Sequence, residues 1–212
     1  MVFERKIFQS LKAHLSNRQV TVITGMRRTG KTTLVKQLIE VSDIKQKFFF
    51  DLERLDNRRL FSSENYDEIV QALRQMGANF SERILIALDE IQLSPNIPSV
   101  IKYLYDRHDI KFIATGSSAY YIKNKFQESL AGRKKIFELY PLDFGELLIF
   151  NDVTFLPTPD IFNLRDSDAE RSRLSIFYQS YIEYGGFPEV VLTPKVPDKV
   201  DLLHDILSSY IN

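Results

Sequence analysis

The stretch Gly25-Met26-Arg27-Arg28-Thr29-Gly30-Lys31-Thr32 decides the fold that this sequence is expected to adopt. It places a glycine, four residues, a second glycine, a lysine and a hydroxyl residue in a row, which is the spacing of a phosphate-binding loop. Glycine is needed there because the backbone has to turn tightly and bring successive N–H groups to phosphate oxygens. A β-branched run at residues 20–24 precedes the stretch and an apolar-striped segment, Lys31–Val41, follows it. The loop is therefore predicted to join a buried strand to a helix.

The same residue types predict a nucleotide with a metal ion. The positive amino end of the helix favours bound anions, and Lys31 is expected to reach the β- and γ-phosphates of ATP. The Thr32 hydroxyl is expected to bind Mg²⁺, so ATP and Mg²⁺ are the expected cofactors. The residues predicted to bind the nucleotide are Gly25, Met26, Arg27, Arg28, Thr29, Gly30, Lys31, Thr32 and Thr33.

A pair of acidic residues, Asp89 and Glu90, follows an apolar run at residues 84–88. In a chain with a phosphate-binding loop, the first acid at such a strand end is expected to hold Mg²⁺, usually through its water. The second is expected to polarise the water that attacks the γ-phosphate. Paired carboxylates favour hydrolysis over transfer to a small-molecule acceptor. The structural alternative is a strand that ends in a charged, solvated turn.

Two further side chains are candidates for catalysis, each with a structural alternative. Ser117 follows the apolar run at residues 111–115, at the strand end where open α/β sheets bind ligands, and is a candidate sensor of the γ-phosphate. Ser117 or its neighbour Ser118 could instead cap the next helix. Arg133 is a candidate arginine finger acting on a neighbouring subunit, which would require a homo-oligomer. Its alternative is a solvated basic run.

Strand and helix patterns alternate along the chain as far as about residue 140. This alternation predicts an α/β fold with a parallel sheet covered by helices on both faces. Beyond Pro141 helical stripes remain and strand patterns fade, so we predict a core at residues 1–140 and a helical lid region at residues 141–212, with a polar loop at residues 151–172. The predicted strands lie at residues 20–24, 47–52, 83–88, 111–115 and 135–139. The predicted helices include residues 3–15, 31–41, 66–76, 100–105, 144–150, 174–184 and 202–211.

Composition excludes several other classes of protein. The 212 residues are 44% hydrophobic and 26% charged, which is ordinary for a globular chain, and the formal net charge is zero. Neutral charge gives no support for binding to nucleic acid or to an acidic membrane. The absence of cysteine excludes disulfides and cysteine-ligated metals, and fits the reducing cytoplasm where we expect the protein to reside. We find neither a signal peptide nor an apolar run of the roughly 18 residues that a membrane span needs.

Six segments occur in an order that resembles the prokaryotic AAA-type ATPases that carry a C-terminal domain of unknown function. The resemblance implies an AAA+-like P-loop core of three α/β/α layers, with a parallel five-stranded sheet of order 5-1-4-3-2 and a small helical lid. It also implies that this chain stops before the C-terminal domain. Two features depart from the wider AAA+ pattern. Gly116 falls near the place of an asparagine sensor, so that Ser117 or Thr115 would have to substitute for it, and the lid offers no clear arginine as a second sensor. The segments are Gly25 to Thr32, Leu88 to Gln92, Thr115 to Ser118, Leu130 to Arg133, Glu138 to Leu142 and Gly185 to Glu189.

Two functional hypotheses of different classes follow from these residues. The first is a Mg²⁺-dependent ATPase in which Lys31, Glu90, Ser117 and Arg133 take part in catalysis and Thr32 and Asp89 hold the metal. The second is a nucleotide-dependent switch with little turnover, which would regulate the C-terminal domain or a partner. A small-molecule kinase would need an acceptor pocket, which the sequence does not identify.

Overall fold

A five-stranded parallel sheet is the largest feature of the part of the chain that the computed structural model describes, residues 3–117, 130–155 and 168–211. The strand order is β2-β3-β4-β1-β5. This is the predicted order 5-1-4-3-2 counted from the opposite edge, so the predicted fold class is confirmed. Because every pairing is parallel, the carboxyl ends of the strands meet at one edge of the sheet. The strands are β1 (Val20–Gly25), β2 (Gln46–Asp51), β3 (Ile84–Asp89), β4 (Ile110–Gly116) and β5 (Lys134–Leu139).

Helices connect the strands and continue after the last of them. Two of these helices begin with residues that commonly start a helix. Asn65 caps the helix that begins at Tyr66 by accepting from the Asp67 N–H, and Pro98 occupies the first turn of the next helix. A 3₁₀ turn at Ile91–Leu93 follows β3. The described helices are α1 (Phe8–His14), α2 (Lys31–Val41), α3 (Leu55–Leu60), α4 (Tyr66–Gln75), α5 (Ile97–Arg107), α6 (Phe144–Phe150), α7 (Asp168–Tyr184), α8 (Pro188–Leu192) and α9 (Val196–Ile211).

Alternate residues of the central strands enter two separate apolar cores, one on each face of the sheet. In β3, Ile84, Ile86 and Leu88 belong to the core that includes α4 and α5. Leu85 and Ala87, which point to the other face, belong to the core that includes α1 and α2. All of these side chains are buried, which explains why the strand reads as a continuous apolar run rather than an alternating one.

The structure divides into two units. The first, here named the sheet unit, comprises residues 7–26 and 31–139. The second, the C-terminal unit, comprises the described residues of the ranges 1–6, 27–30 and 140–212, with an apolar core of its own. In the C-terminal unit, Asp143 and Glu146 form a capping box at the start of α6. Whether a core and a lid act as functional domains divided at residue 140 stays a prediction.

Several predicted elements differ from the structure. The apolar stripe at residues 3–15 predicted one helix, but α1 begins only at Phe8. Phe3 instead stacks on Phe150 within the C-terminal unit, with ring centroids 4.6 Å apart. The short helices α3 and α8 were not predicted. The predicted loop at residues 151–172 is helical from Asp168 onward. None of the described helices is both long and apolar enough to cross a bilayer.

A buried polar cluster lies at the amino-end edge of the sheet. Lys111, in β4, is fully buried, and its ammonium group donates to the carbonyl oxygens of His14, Asn17 and Gln19 at 2.9, 3.0 and 2.6 Å. The His14 ring is also buried, and its Nδ1 lies 2.8 Å from the hydroxyl of Thr21. Burial, followed by the charge of Lys111, lowers the pKa of His14 below its ordinary value of 6.5. This edge is therefore held by polar contacts to a lysine and a neutral imidazole.

The lowered pKa of His14 predicts a loss of stability in mild acid. The unfolded chain takes up the His14 proton at a higher pH than the folded chain, so this contribution to stability is present above about pH 6.5 and is lost as the pH falls through the folded pKa. Urea denaturation at about pH 7.5 and about pH 5.5 should show a larger drop in unfolding free energy for the unaltered chain than for His14→Gln. His204→Gln, at an exposed position, is the control. Equal drops in all three chains would contradict the prediction.

Candidate functional site

The end of β1 explains the first glycine of the predicted phosphate loop. Gly25 pairs with Leu139 of β5, and a Cβ built on Gly25 would lie 2.1 Å from the Leu139 carbonyl oxygen. No side chain fits at that distance, so the close approach of two strands requires glycine. The chain therefore leaves the sheet at this point and turns immediately into the loop.

Lys31 begins α2 and is almost completely enclosed, with 4% of its surface exposed. Its ammonium group donates to the carbonyl oxygens of Gly25 at 3.1 Å and Met26 at 2.8 Å. These contacts curl the lysine back over the start of its own loop. A positive charge is thus fixed next to the amino end of a helix, where both the charge and the helix dipole favour an anion.

Asp89, the last residue of β3, joins two hydroxyl groups. It is 3% exposed, and its Oδ2 accepts a hydrogen bond of 2.6 Å from Thr32 Oγ1. Its Oδ1 accepts from the hydroxyl of Thr115, in the neighbouring strand β4. The parallel pairing of β3 with β4 brings the two strand ends side by side. The predicted metal residues Thr32 and Asp89 are therefore in direct contact within the sheet unit.

Glu90 follows Asp89 with a left-handed backbone, φ 55°, which is uncommon for any residue but glycine. Its N–H donates to Thr115 Oγ1 at 3.1 Å, so one threonine hydroxyl contacts both acidic residues. The Glu90 Oε2 accepts from Gln92 Nε2 and, at 3.2 Å, from the hydroxyl of Ser117. Gln92 also donates to Ser117 at 3.0 Å. The turn after β3 thus aims the Glu90 carboxylate toward the end of β4.

The oxygen atoms at this site suit Mg²⁺ that is bound partly by the protein and partly by phosphate oxygens. Magnesium prefers oxygen donors and is commonly held by one or two protein oxygens together with phosphate oxygens and water. The hydroxyl of Thr32 and the carboxylate of Asp89 supply oxygens of that kind, 2.6 Å apart. Among the described residues, no group of three or more His, Cys, Asp or Glu side chains could hold a metal ion. The two oxygen donors of Thr32 and Asp89 fit a metal whose other ligands are phosphate oxygens and water.

The middle of the predicted loop, residues 27–30, belongs to the C-terminal unit. Two of these residues have positive φ angles, 63° at Arg28 and 91° at Gly30. The Arg27 N–H donates to the Tyr210 hydroxyl at 2.5 Å, and Arg28 pairs with Glu189 at 3.4 Å. Arg27, Arg28 and Met26 are exposed at the loop surface, while Thr33 is exposed on the first turn of α2.

Arg133 lies at the other edge of the sheet. It immediately precedes β5, and its carbonyl oxygen accepts from the N–H of Val20 at the beginning of β1. The six residues of β1 separate it from Gly25, a span of roughly 20 Å at about 3.3 Å per residue. Its guanidinium pairs with Asp106 at 2.9 Å. Arg133 therefore cannot reach the acidic pair of its own sheet unit. Ser118 lies outside the described residues.

Several residues around the candidate site have contacts that the sequence alone does not predict. The sequence predicts Thr115 only as a substitute sensor, whereas in the structure its hydroxyl connects Asp89 with Glu90. The sequence assigns no role to Gln92, which in the structure donates to both Glu90 and Ser117. Arg5 and Glu146 were not identified, although Asp143 and Glu146 carry the spacing of a capping box that could have drawn attention to the start of α6.

Comparison with known proteins agrees with the fold. A model of the AAA-domain family matches residues 17–148. An uncharacterized protein of Methanocaldococcus jannaschii is 30% identical over 230 aligned residues, which cover the whole chain and 47% of that relative. An uncharacterized protein of Haemophilus influenzae is 23% identical over 216 residues, covering the whole chain and 50% of the relative. The chain thus spans about half the length of these relatives.

Two solved structures share the fold at low sequence identity. Caenorhabditis elegans PCH-2 superposes with a TM-score of 0.59 at 12% identity, covering all of this chain and 70% of PCH-2. The ORC1 protein of Aeropyrum pernix, solved in complex with DNA, gives a TM-score of 0.54 at 12% identity, covering 84% of this chain and 56% of ORC1. At such low sequence identity the similarity shows the fold alone.

Proposed function

Because this chain belongs to the AAA-domain family, we propose that it binds ATP with Mg²⁺ and hydrolyses the γ-phosphate. The observation that carries the proposal is the contact of 2.6 Å between Thr32, at the end of the phosphate loop, and Asp89, at the end of β3. That contact joins a phosphate-binding motif to an acidic strand end at one point, which is the arrangement that Mg²⁺-dependent phosphoryl transfer needs.

Each residue of the proposed site has a distinct task. The backbone N–H groups of residues 25–33 and the Lys31 ammonium bind phosphate oxygens, and Thr32 and Asp89 hold the metal. Bound Mg²⁺ would neutralise charge that develops on the phosphate oxygens. Glu90 orients a water molecule and accepts its proton, because it directly follows the proposed metal residue Asp89 at the end of β3. Ser117, which donates to Glu90 at 3.2 Å, is proposed to respond to the γ-phosphate through that contact.

Binding and turnover of the unaltered chain test the proposal. Calorimetric titration should give binding of ATP and ADP that is strengthened by Mg²⁺, and much weaker binding of AMP, which lacks the phosphates that Lys31 is expected to contact. Phosphate release from ATP should stop when EDTA removes the metal. Absence of binding at millimolar ATP with Mg²⁺ would refute the proposed nucleotide site. Binding without phosphate release would refute hydrolysis alone.

One observation favours the second candidate function, a nucleotide switch with little turnover. Oε2 of Glu90 accepts from both Gln92 and Ser117, so the carboxylate that would accept a proton from water is already engaged. A chain that keeps these contacts with ATP bound would exchange nucleotides more often than it hydrolyses them. Comparing the rate of phosphate release with the dissociation rate of a fluorescent ATP analogue separates the two functions.

We also propose that Arg133 acts on a neighbouring copy of the chain. Since it lies across the sheet from the acidic pair, a role in phosphate chemistry requires a second subunit, and Arg133 would have to leave Asp106. Analytical ultracentrifugation with and without ATP tests this part of the proposal. The expected result is an assembly that forms or tightens with ATP, whereas a monomer under both conditions would remove Arg133 from the mechanism.

A further inference from the structure

Arg5 forms a buried ion pair in the C-terminal unit. Only 7% of the residue is exposed, and its Nε donates to Glu146 Oε1 at 3.0 Å while Nη2 donates to Oε2 at 3.2 Å. Both oxygens also accept from the backbone, Oε1 from Lys6 N–H at 2.8 Å and Oε2 from Asp143 N–H at 3.2 Å. A charge pair at such depth persists only when its hydrogen-bonding groups are satisfied, as they are around Glu146. The guanidinium is therefore held in one orientation.

Two further N–H groups of this fixed guanidinium donate to backbone carbonyl oxygens. Nη2 donates to the Tyr140 carbonyl at 2.8 Å, and Nη1 donates to the Thr29 carbonyl at 3.0 Å. Thr29 is fully buried and lies in the phosphate loop directly before Gly30. A residue near the beginning of the sequence thus contacts the backbone of the loop, 24 positions further along the chain.

Holding the Thr29 carbonyl also orients the amide of Gly30. The two groups belong to one planar peptide unit, and no described peptide bond is cis, so the C=O and the N–H point in opposite directions. With its carbonyl fixed on Arg5, this unit directs the Gly30 N–H away from Arg5. Gly30 has a φ angle of 91°, a conformation open to glycine, which lets the loop accept this orientation.

We propose that Arg5 is a positioning residue for nucleotide binding: through the Thr29 carbonyl it keeps the Gly30 amide aimed at a phosphate group. The proposal rests on the proposed ATP site and adds a residue to it. An amide that is oriented before the ligand arrives costs less to order on binding, so Arg5 raises the affinity for nucleotide phosphates without touching them. Glu146 supports the same function by holding the guanidinium of Arg5.

Two changes separate this role from general support of the fold. Arg5→Lys keeps a positive charge for Glu146 but lacks the planar fork that reaches Glu146 and Thr29 together. The double variant Arg5→Met with Glu146→Met removes both buried charges at once, which proteins often tolerate, and so keeps the test valid if the single variant unfolds. Lys6→Met, which breaks only an exposed ion pair with Asp143, is the matched control.

The expected result is a rise of about tenfold in the Kd of ADP and ATP for both Arg5 variants, the size expected from losing one hydrogen bond to a charged group. The KM for ATP should rise in parallel while kcat stays within about twofold, because Arg5 contacts none of the reacting groups. Hydrogen exchange of the Gly30 amide without nucleotide should become faster. Lys6→Met should match the unaltered chain in all three measurements.

The outcomes distinguish the two proposals. If the unaltered chain binds nucleotide and the Arg5 variants bind it equally well, with unchanged exchange at Gly30, the positioning role is wrong and the ATP site stands. If kcat falls while KM is unchanged, Arg5 acts on the chemical step and the positioning role is again wrong. If the unaltered chain binds no nucleotide, the ATP site is refuted and the role of Arg5 falls with it.

Discussion

Replacing Lys31 with alanine is expected to lower ATP turnover by about 10²–10³-fold, the cost of removing one preorganised group that stabilises developing charge. The reason lies in how the ammonium is held: Lys31 is 4% exposed and donates to Gly25 and Met26 of its own loop. Such an enclosed charge interacts more strongly with phosphate than a charge in water does. ATP affinity should fall as well, because the same ammonium is expected to contact the ground-state nucleotide. Calorimetric titration and phosphate release measure the two effects.

Lys36 provides a matched control for this experiment. It lies on the same helix, α2, but is exposed and lies over the ring of Phe49 rather than facing the loop. Lys36→Ala removes the same charge from the same helix and should leave ATP binding and turnover close to those of the unaltered chain. If Lys31→Ala binds and hydrolyses ATP as well as Lys36→Ala does, the phosphate loop is not the nucleotide site.

The sheet could be predicted because each strand carries a strong local signal. In β3, six consecutive residues are buried, and a chain of that kind has to be covered on both faces. Helical stripes alternate with these strand runs along the chain, and that alternation predicts a parallel α/β arrangement. The strand order came from the family resemblance, since strand patterns alone do not say which strands are neighbours.

The misplaced start of α1 shows the limit of periodicity. Phe3 has the right spacing to extend the stripe of Ile7 and Phe8, yet it packs on Phe150 of the C-terminal unit. A contact between residues so far apart in the sequence does not appear in the spacing of apolar residues. The same limit hid Arg5, whose carboxylate partner Glu146 lies 141 positions away.

In the candidate site too, the local motifs could be predicted from the sequence, whereas the contacts between separate strands could not. The phosphate loop and the acidic pair are local motifs, and their residue types follow from the chemistry of phosphate and Mg²⁺. Which hydroxyl at the end of β4 contacts which carboxylate depends on the direction of each side chain at the strand end. Thr115 contacts Asp89, and Ser117 contacts Glu90. The sequence offered both hydroxyls as candidates, and only the geometry assigns each to its partner.

Replacing Glu90 with glutamine is expected to slow ATP hydrolysis by about 10²–10⁴-fold, the usual contribution of a general base. Glutamine has nearly the same shape and keeps an oxygen that can accept from Gln92 and Ser117, so the left-handed turn after β3 should persist. What it loses is the ability to accept a proton from water. Binding of ATP should therefore stay within a few-fold of the unaltered chain, since Lys31, Thr32 and Asp89 are unchanged. The variant should hold ATP and release phosphate slowly.

Glu82→Gln is the control, because Glu82 is an exposed acid just before β3 and lies at the opposite end of that strand. It should hydrolyse ATP at the unaltered rate. Equal turnover in the Glu90 and Glu82 variants would remove Glu90 from the mechanism and favour the switch over the ATPase. Loss of both binding and turnover in Glu90→Gln would instead give Glu90 a structural role at the end of β3. The contact between the Glu90 N–H and Thr115 would then depend on the charge of the Glu90 carboxylate. Retained binding with slow release of phosphate is the one outcome that assigns the proton transfer to Glu90.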